Sequence, residues 1–220
     1  MKTVISSKKE TDRKIADHIA RTVEHKPDCV IAYMPERVFD GVWQELREMK
    51  TDMSGVKLFL MAELCGRTVF SEILNAQTEG LNIRNENVAL VSDKSYVNLD
   101  ELISENGGID LAVTGIGTNG RFGFNEPGTQ YSSRTHIQKL TKPTLHDLDI
   151  DGESEVYGVT MGIKTVVEAK DIIVAAYGEA IAKSVFQMLY ARDDSVVPAA
   201  FLQLPADVTV YLDTEAASRL

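Results

Sequence analysis

The sequence predicts a three-layer α/β protein in which one mostly parallel sheet is covered by helices on both faces. Short apolar runs without polar alternation recur along the 220 residues, as strands buried on both faces require. Between them lie segments with apolar residues every three or four positions, the pattern of amphipathic helices. The two kinds of segment alternate, which implies βαβ units with right-handed crossovers. With 44% hydrophobic residues and no linker, repeat or low-complexity tract, residues 1–220 read as one domain with a sizeable core.

Each element has its own warrant. Ile15, Ile19 and Val23 recur every fourth residue over 10–26, a helix that Pro27 ends. Residues 29–34 (CVIAYM) form an unbroken apolar run, a strand closed by Pro35. Val38, Val42, Leu46 and Met49 mark a helix over 38–50, and VKLFLM at 56–61 the next strand. The same reading gives strands at 88–91, 111–114, 157–161, 172–176 and 208–212, and helices at 67–77, 99–105, 164–169 and 181–190. Residues 141–155, with Pro143, Gly152 and alternating acids, are expected to be a mobile surface segment or lid.

Composition excludes several function classes. The 23 basic and 33 acidic residues leave a net charge of −10, which repels a phosphodiester backbone and argues against nucleic-acid binding. Two cysteines, Cys29 and Cys65, cannot frame a disulfide scaffold and lack zinc-site spacing, so a reducing cytoplasm fits best. No apolar leader opens the chain and no run of about 18 apolar residues crosses it, so export and membrane insertion are not expected. The four histidines and the carboxylates show no metal-ligand spacing, and no metal is expected.

The densest signal is GIGTNGRFGFNEPG at 115–128, directly after the apolar strand 111–114, where open α/β sheets bind their ligands. Gly115, Gly117 and Gly120 spell G-x-G-x-x-G, but no helix can open on FGFNEP and no acidic residue follows at 140–143. A dinucleotide, or any other cofactor, is therefore not expected. The full string resembles the loop G-x-G-x-D-G-H-x-A-F-N-E-P of the glucosamine-6-phosphate deaminase and sugar-phosphate isomerase family. GGIDLAVTGIG from Gly107, GVTMGIKTVVEAKD from Gly158 and VPAAFLQL from Val197 are similar to its galactosamine-6-phosphate isomerase branch. The resemblance implies a Rossmann-like fold and aldose–ketose isomerisation of an amino-sugar phosphate, with loss of ammonia in the deaminases.

That chemistry needs a carboxylate base and an imidazole oriented by carboxylates. The resemblance sets Ala62, in LMAELCG, where relatives carry the base aspartate, and Arg121 where they carry the histidine. A methyl group accepts no proton, and a guanidinium neither relays nor removes one at neutral pH. Glu126 and Asn119 remain as catalytic candidates, with Glu63 beside the lost base, although neighbouring strand residues face opposite ways. Arg121 and Glu126 are read two ways with equal weight, as an ion pair closing the loop or as ligand-binding groups. Substrate-binding candidates are Arg121, Arg37, Gly117, Gly120 and Arg134.

The phosphate loop of relatives is replaced by MPERVFDG at 34–41, where Glu36 and Asp40 repel a phosphate as Arg37 attracts it. Ile181 stands where relatives place a lysine, with Lys183 nearby, and His136 and Gln138 replace a basic pair used for allosteric phosphate. Hexamer-style regulation is not expected, and a homo-oligomer is left open. The pocket is expected among the loops after the strands ending near Met34, Met61 and Thr114. The expected ligand is a sugar phosphate or another anionic sugar, turned over slowly. The alternatives are a non-catalytic paralogue binding a sugar phosphate or sugar acid, and an isomerase or lactonase whose Arg121 clamps a carboxylate.

Overall fold

The apolar runs become strands whose burial explains their lack of alternation. In the computed structural model, which describes residues 1–150, 152–153, 155–191, 196–205 and 207–220, β2 (Val30–Tyr33) and β6 (Leu111–Gly115) are buried at every position. With β1 (Lys2–Ile5), β3 (Lys57–Leu60), β5 (Val88–Ala89), β9 (Asp171–Ala176) and β10 (Val208–Leu212) they make a seven-stranded sheet, order β1-β10-β9-β6-β2-β3-β5. Every pairing in it is parallel, with Tyr33 beside Val113 and Val113 beside Ile173. The chain runs outward from β2 through β3 to β5, then returns to place β6 on the other side of β2. This reversal opens a crevice beyond the carboxyl ends of β2 and β6.

Helices cover the sheet: α1 (Lys8–His25), α2 (Asp40–Met49), α3 (Val69–Thr78), α4 (Leu99–Glu105), α6 (Ile163–Val167) and α7 (Ala182–Tyr190). The apolar stripe of α1 is Ile15, Ile19 and Val23, all buried. Its start is fixed by Glu10, whose carboxylate accepts the backbone N–H of Ser7 at 3.2 Å.

Three strands escaped the sequence reading, and two of them build a second sheet. β4 (Ala62–Leu64), β8 (Tyr157–Thr160) and β7 (His136–Lys139) pair antiparallel in the order β4-β8-β7. The strand expected at 157–161 is present as β8 over 157–160, but outside the parallel sheet. Gly158 lets the ring of Phe124 lie on β8, since a Cβ there would stand 2.3 Å from Phe124 Cδ2. The segment expected as a mobile stretch or lid begins as helix α5 (Lys142–Asp147), whose own Thr144 and Leu145 are buried. Its residues 151 and 154 lie outside the described residues.

Among the described residues, no helix is long and apolar enough to cross a membrane, and no group of three His, Cys, Asp or Glu is placed to hold a metal ion.

Candidate functional site

A cleft of about 820 Å³ opens over the carboxyl ends of β2, β6 and β9, walled by α3 and by the end of α5. Two of the three loops expected around it are there, those after Met34 and Thr114. The third is the turn after β9, with Tyr177 and Ile181, in place of the turn after Met61. The chain leaving Met61 enters β4 and the second sheet, so Ala62, fully buried, is not on the cleft wall.

The loop after β2 is held by a chain of hydrogen bonds that starts in the core. Trp43 Nε1 donates to Tyr33 OH at 2.8 Å, and Tyr33 OH donates to Gln77 Oε1 at 2.7 Å. Gln77 Nε2 then donates to Glu36 O and to Asp40 Oδ1, both at 2.8 Å. This fixes residues 36–40 without a glycine-rich turn and leaves Glu36 and Arg37 facing the cleft.

The loop after β6 folds on itself through Gly117 N–H to Arg121 O at 2.8 Å and Gly120 N–H to Gly117 O at 2.9 Å. Gly120 needs its φ of +80°, and Gly117 needs its missing Cβ, which would stand 2.7 Å from Arg121 Nε. Arg121, 4% exposed, lies flat on that glycine. Its Nη1 donates to Gly123 O at 2.8 Å and its Nη2 pairs with Asp147 Oδ2 at 3.3 Å, while Nε has no partner. Asp147 also accepts from Thr118 N at 3.1 Å and Thr118 Oγ1 at 2.7 Å.

The Arg121–Glu126 ion pair is therefore replaced by Arg121–Asp147. Glu126 instead accepts Asn119 Nδ2 at 2.7 Å and, at 3.0 Å each, Thr141 N and Thr141 Oγ1. Asn119 Oδ1 accepts the Arg121 N–H at 3.2 Å. Asn119, Glu126 and Gly120 thus support the loop from behind, and only Gly117, Arg121 and Arg37 of the candidates line the cleft.

Glu63 is engaged elsewhere. Its carboxylate accepts Leu64 N, Phe70 N, Ser71 N and Ser71 Oγ at 2.7–3.1 Å, anchoring the first turn of α3. Arg134 forms a two-pronged pair with Glu168 on the surface, and His136 Nδ1 bonds Arg134 O at 2.8 Å, both away from the cleft.

Electrostatics single out Glu36. Burial pushes its carboxyl up to about 7; the Arg121 guanidinium pulls the other way and Asp147 reinforces the rise. Tyr177, on the opposite wall, donates its hydroxyl to Asp12 Oδ1 at 2.8 Å, and burial raises its pKa well beyond the usual phenol range. A group that titrates near neutrality, beside a fixed guanidinium, can exchange a proton or meet a cation. Sequence reasoning missed Gln77, Asp147 and Tyr177. Gln77 and Tyr177 sit in ordinary helix and strand-end contexts, and Asp147 in a segment read as a loop.

No family model matches the chain. A glucosamine-6-phosphate deaminase of Clostridium botulinum (strain Kyoto / Type A2) is 31% identical over 99% of this chain and 97% of its own. One from Halalkalibacterium halodurans is 31% identical over 94% of this chain and 92% of its own. A solved structure described as a monomeric glucosamine-6-phosphate deaminase superposes with a TM-score of 0.93 at 26% identity, covering 100% of both chains.

Proposed function

The chain belongs to the glucosamine-6-phosphate deaminase family, and from that premise we propose that it holds an amino-sugar phosphate in the cleft over β2, β6 and β9 and turns it over slowly. The observation that carries this reading is Arg121. At the position where the family loop has a histidine stands a buried guanidinium tied to Gly123 O and Asp147, with no capacity to relay a proton at neutral pH. Ala62 adds a second loss, a buried methyl where the family string has its aspartate. If the base and the imidazole each contribute about 10²- to 10⁴-fold, losing both slows the family reaction by about 10⁴-fold or more.

A purely binding role is the second reading, favoured by the same residue: Arg121 is arranged to hold charge in place. The segments similar to the galactosamine branch point to a galactosamine phosphate. A cytoplasmic setting suits the two free cysteines.

The experiment is a thermal-shift titration of the purified chain with glucosamine and galactosamine 6-phosphates, with ammonia and ketose phosphate assayed on each. Stabilisation with slow product formation is expected. Stabilisation without any product favours the binder, and no stabilisation by either sugar phosphate overturns the proposal.

A further inference from the structure

Most charged side chains on the cleft wall are spent on the protein itself. Arg121 holds Gly123 O and Asp147, and Arg47 donates to Gln77 O at 2.7 Å and Glu79 O at 3.3 Å. Asp40 accepts from Gln77 Nε2, and Glu72 accepts from Thr68 Oγ1 at 2.7 Å. Glu36 differs. Its backbone carbonyl is bonded by Gln77, but no described residue donates a hydrogen bond to its carboxyl oxygens. The carboxyl rests on Gly115, the last residue of β6, so closely that a Cβ there would stand 2.3 Å from Oε2. It is thus an acceptor pinned at the floor of the cleft and left for something the protein does not supply.

An unpaired carboxylate in a half-buried site is costly. A hydroxyl relieves that cost modestly, a phosphate oxygen aggravates it, and an ammonium group relieves it most, through a charge-assisted hydrogen bond. We propose that Glu36 is the specificity-determining residue of the cleft, its carboxylate receiving the ammonium group of an amino sugar and so selecting the amine over the corresponding hydroxyl. The assignment rests on reading the cleft as an amino-sugar phosphate site. It also orients the ligand, with its phosphate kept away from Glu36 and toward exposed Arg37 at the rim.

Among the described residues, the groups coupled electrostatically to Glu36 are Arg121 from the loop after β6, Asp147 from α5 and Tyr33 at the end of β2. Arg121 is charged throughout the neutral range, and Tyr33, fully buried, is held neutral well above it. Protonation of Glu36 itself therefore dominates local changes near neutrality.

The test compares, by calorimetry on the full chain, glucosamine 6-phosphate with glucose 6-phosphate, and the galactosamine pair likewise. At pH 7.5 the wild type is expected to bind the amine about tenfold or more tightly than the hydroxyl analogue, the size of a hydrogen bond to a charged group. Because both sugars carry the same phosphate, its titration cancels in the ratio. The ratio is expected to fall roughly tenfold by pH 5.5, where Glu36 is protonated. In Glu36→Gln it stays near one at both pH values, and a melting curve confirms that the variant is folded.

A wild-type ratio near one at pH 7.5, or an undiminished ratio in Glu36→Gln, overturns the assignment and leaves the amino-sugar phosphate reading standing. Failure of the wild type to bind any of the sugar phosphates overturns both.

Discussion

Replacing Gln77 by leucine cuts the hydrogen-bond chain that ties the core to the cleft, and its cost can be worked out bond by bond. Gln77 is 4% exposed and makes three side-chain bonds: it accepts from Tyr33 OH and donates to Glu36 O and Asp40 Oδ1. Glu36 and Asp40 lie near enough to solvent for water to replace their lost donor, at about 0.5–1 kcal/mol each. The Tyr33 hydroxyl is buried; it still accepts from Trp43 but loses its only acceptor, which adds about 1–3 kcal/mol. The sum is about 2–5 kcal/mol. With an unfolding entropy of about 2.1 cal/mol/K per residue over 220 residues, melting falls by about 4–11 °C.

The double variant with Tyr33→Phe sharpens the test. Once phenylalanine stands at 33 no hydroxyl is orphaned, so the double variant is expected to lose about 1–2 kcal/mol less than the two single variants added together. Thermal unfolding followed by circular dichroism on the four proteins measures the cycle. A melting temperature for Gln77→Leu within 1 °C of wild type, or strictly additive losses, would refute the chain of bonds as a stabilising unit.

Three further perturbations probe other parts of the molecule. Asp110 is 8% exposed and accepts Lys26 Nζ and Lys170 Nζ at 2.6 Å each and Val30 N at 2.8 Å. Burial alone would raise its pKa, but the two lysines and the amide overcome that and hold it below the usual carboxylate value of about 3.9. Its stabilisation is therefore complete above that value and disappears as pH falls through the depressed one, so Asp110→Asn melts lower than wild type at pH 6–7 and the gap closes at strongly acid pH. A gap that stayed constant down to pH 2.5 would rule this linkage out. Gly162→Ala puts a Cβ 2.1 Å from Ser133 O and 2.2 Å from Arg134 O, both backbone, and is expected to cost about 1–3 kcal/mol in urea unfolding; wild-type stability would mean the start of α6 shifts freely. Arg121→His restores an imidazole on the cleft wall, and ammonia release from hexosamine phosphate is expected to rise at least about 10²-fold, with no rise signifying a cleft committed to another task.

What could be read in the sequence follows the reach of each signal. Strands such as CVIAYM declare themselves because burial on both faces demands an uninterrupted apolar run, and β2 is buried throughout. β4 has three residues, too few for any period to register. β7, HIQK, has one apolar residue and alternates between half-buried and exposed positions. Asp147 was hidden for a different reason: it matters through a contact with Arg121 across 26 residues, which no local pattern encodes. Ala62 and Arg121 were legible as departures from a motif, yet their surroundings were not. Arg121 reads from sequence as a partner for Glu126, five residues on, and only the fold shows Asn119 and Thr141 already occupying that carboxylate.

The residues of the loop at 115–128 have structural tasks apart from any chemistry nearby. Asn125 Nδ2 donates to Phe122 O at 3.1 Å and to Met161 O at 3.0 Å, fastening the loop to the end of β8. Phe124 fills the space over Gly158 and packs edge-on against Phe70 of α3, with ring centroids 5.6 Å apart. Glu126 ties the same loop to the start of α5 through Thr141. Each of these residues is needed to hold three elements together whether or not a proton is transferred nearby. The FNEP string therefore testifies first to the fold. Of the charged side chains that reach the cleft, Glu36 and Arg121 lie against bare glycines at 115 and 117, an arrangement suited to charge recognition.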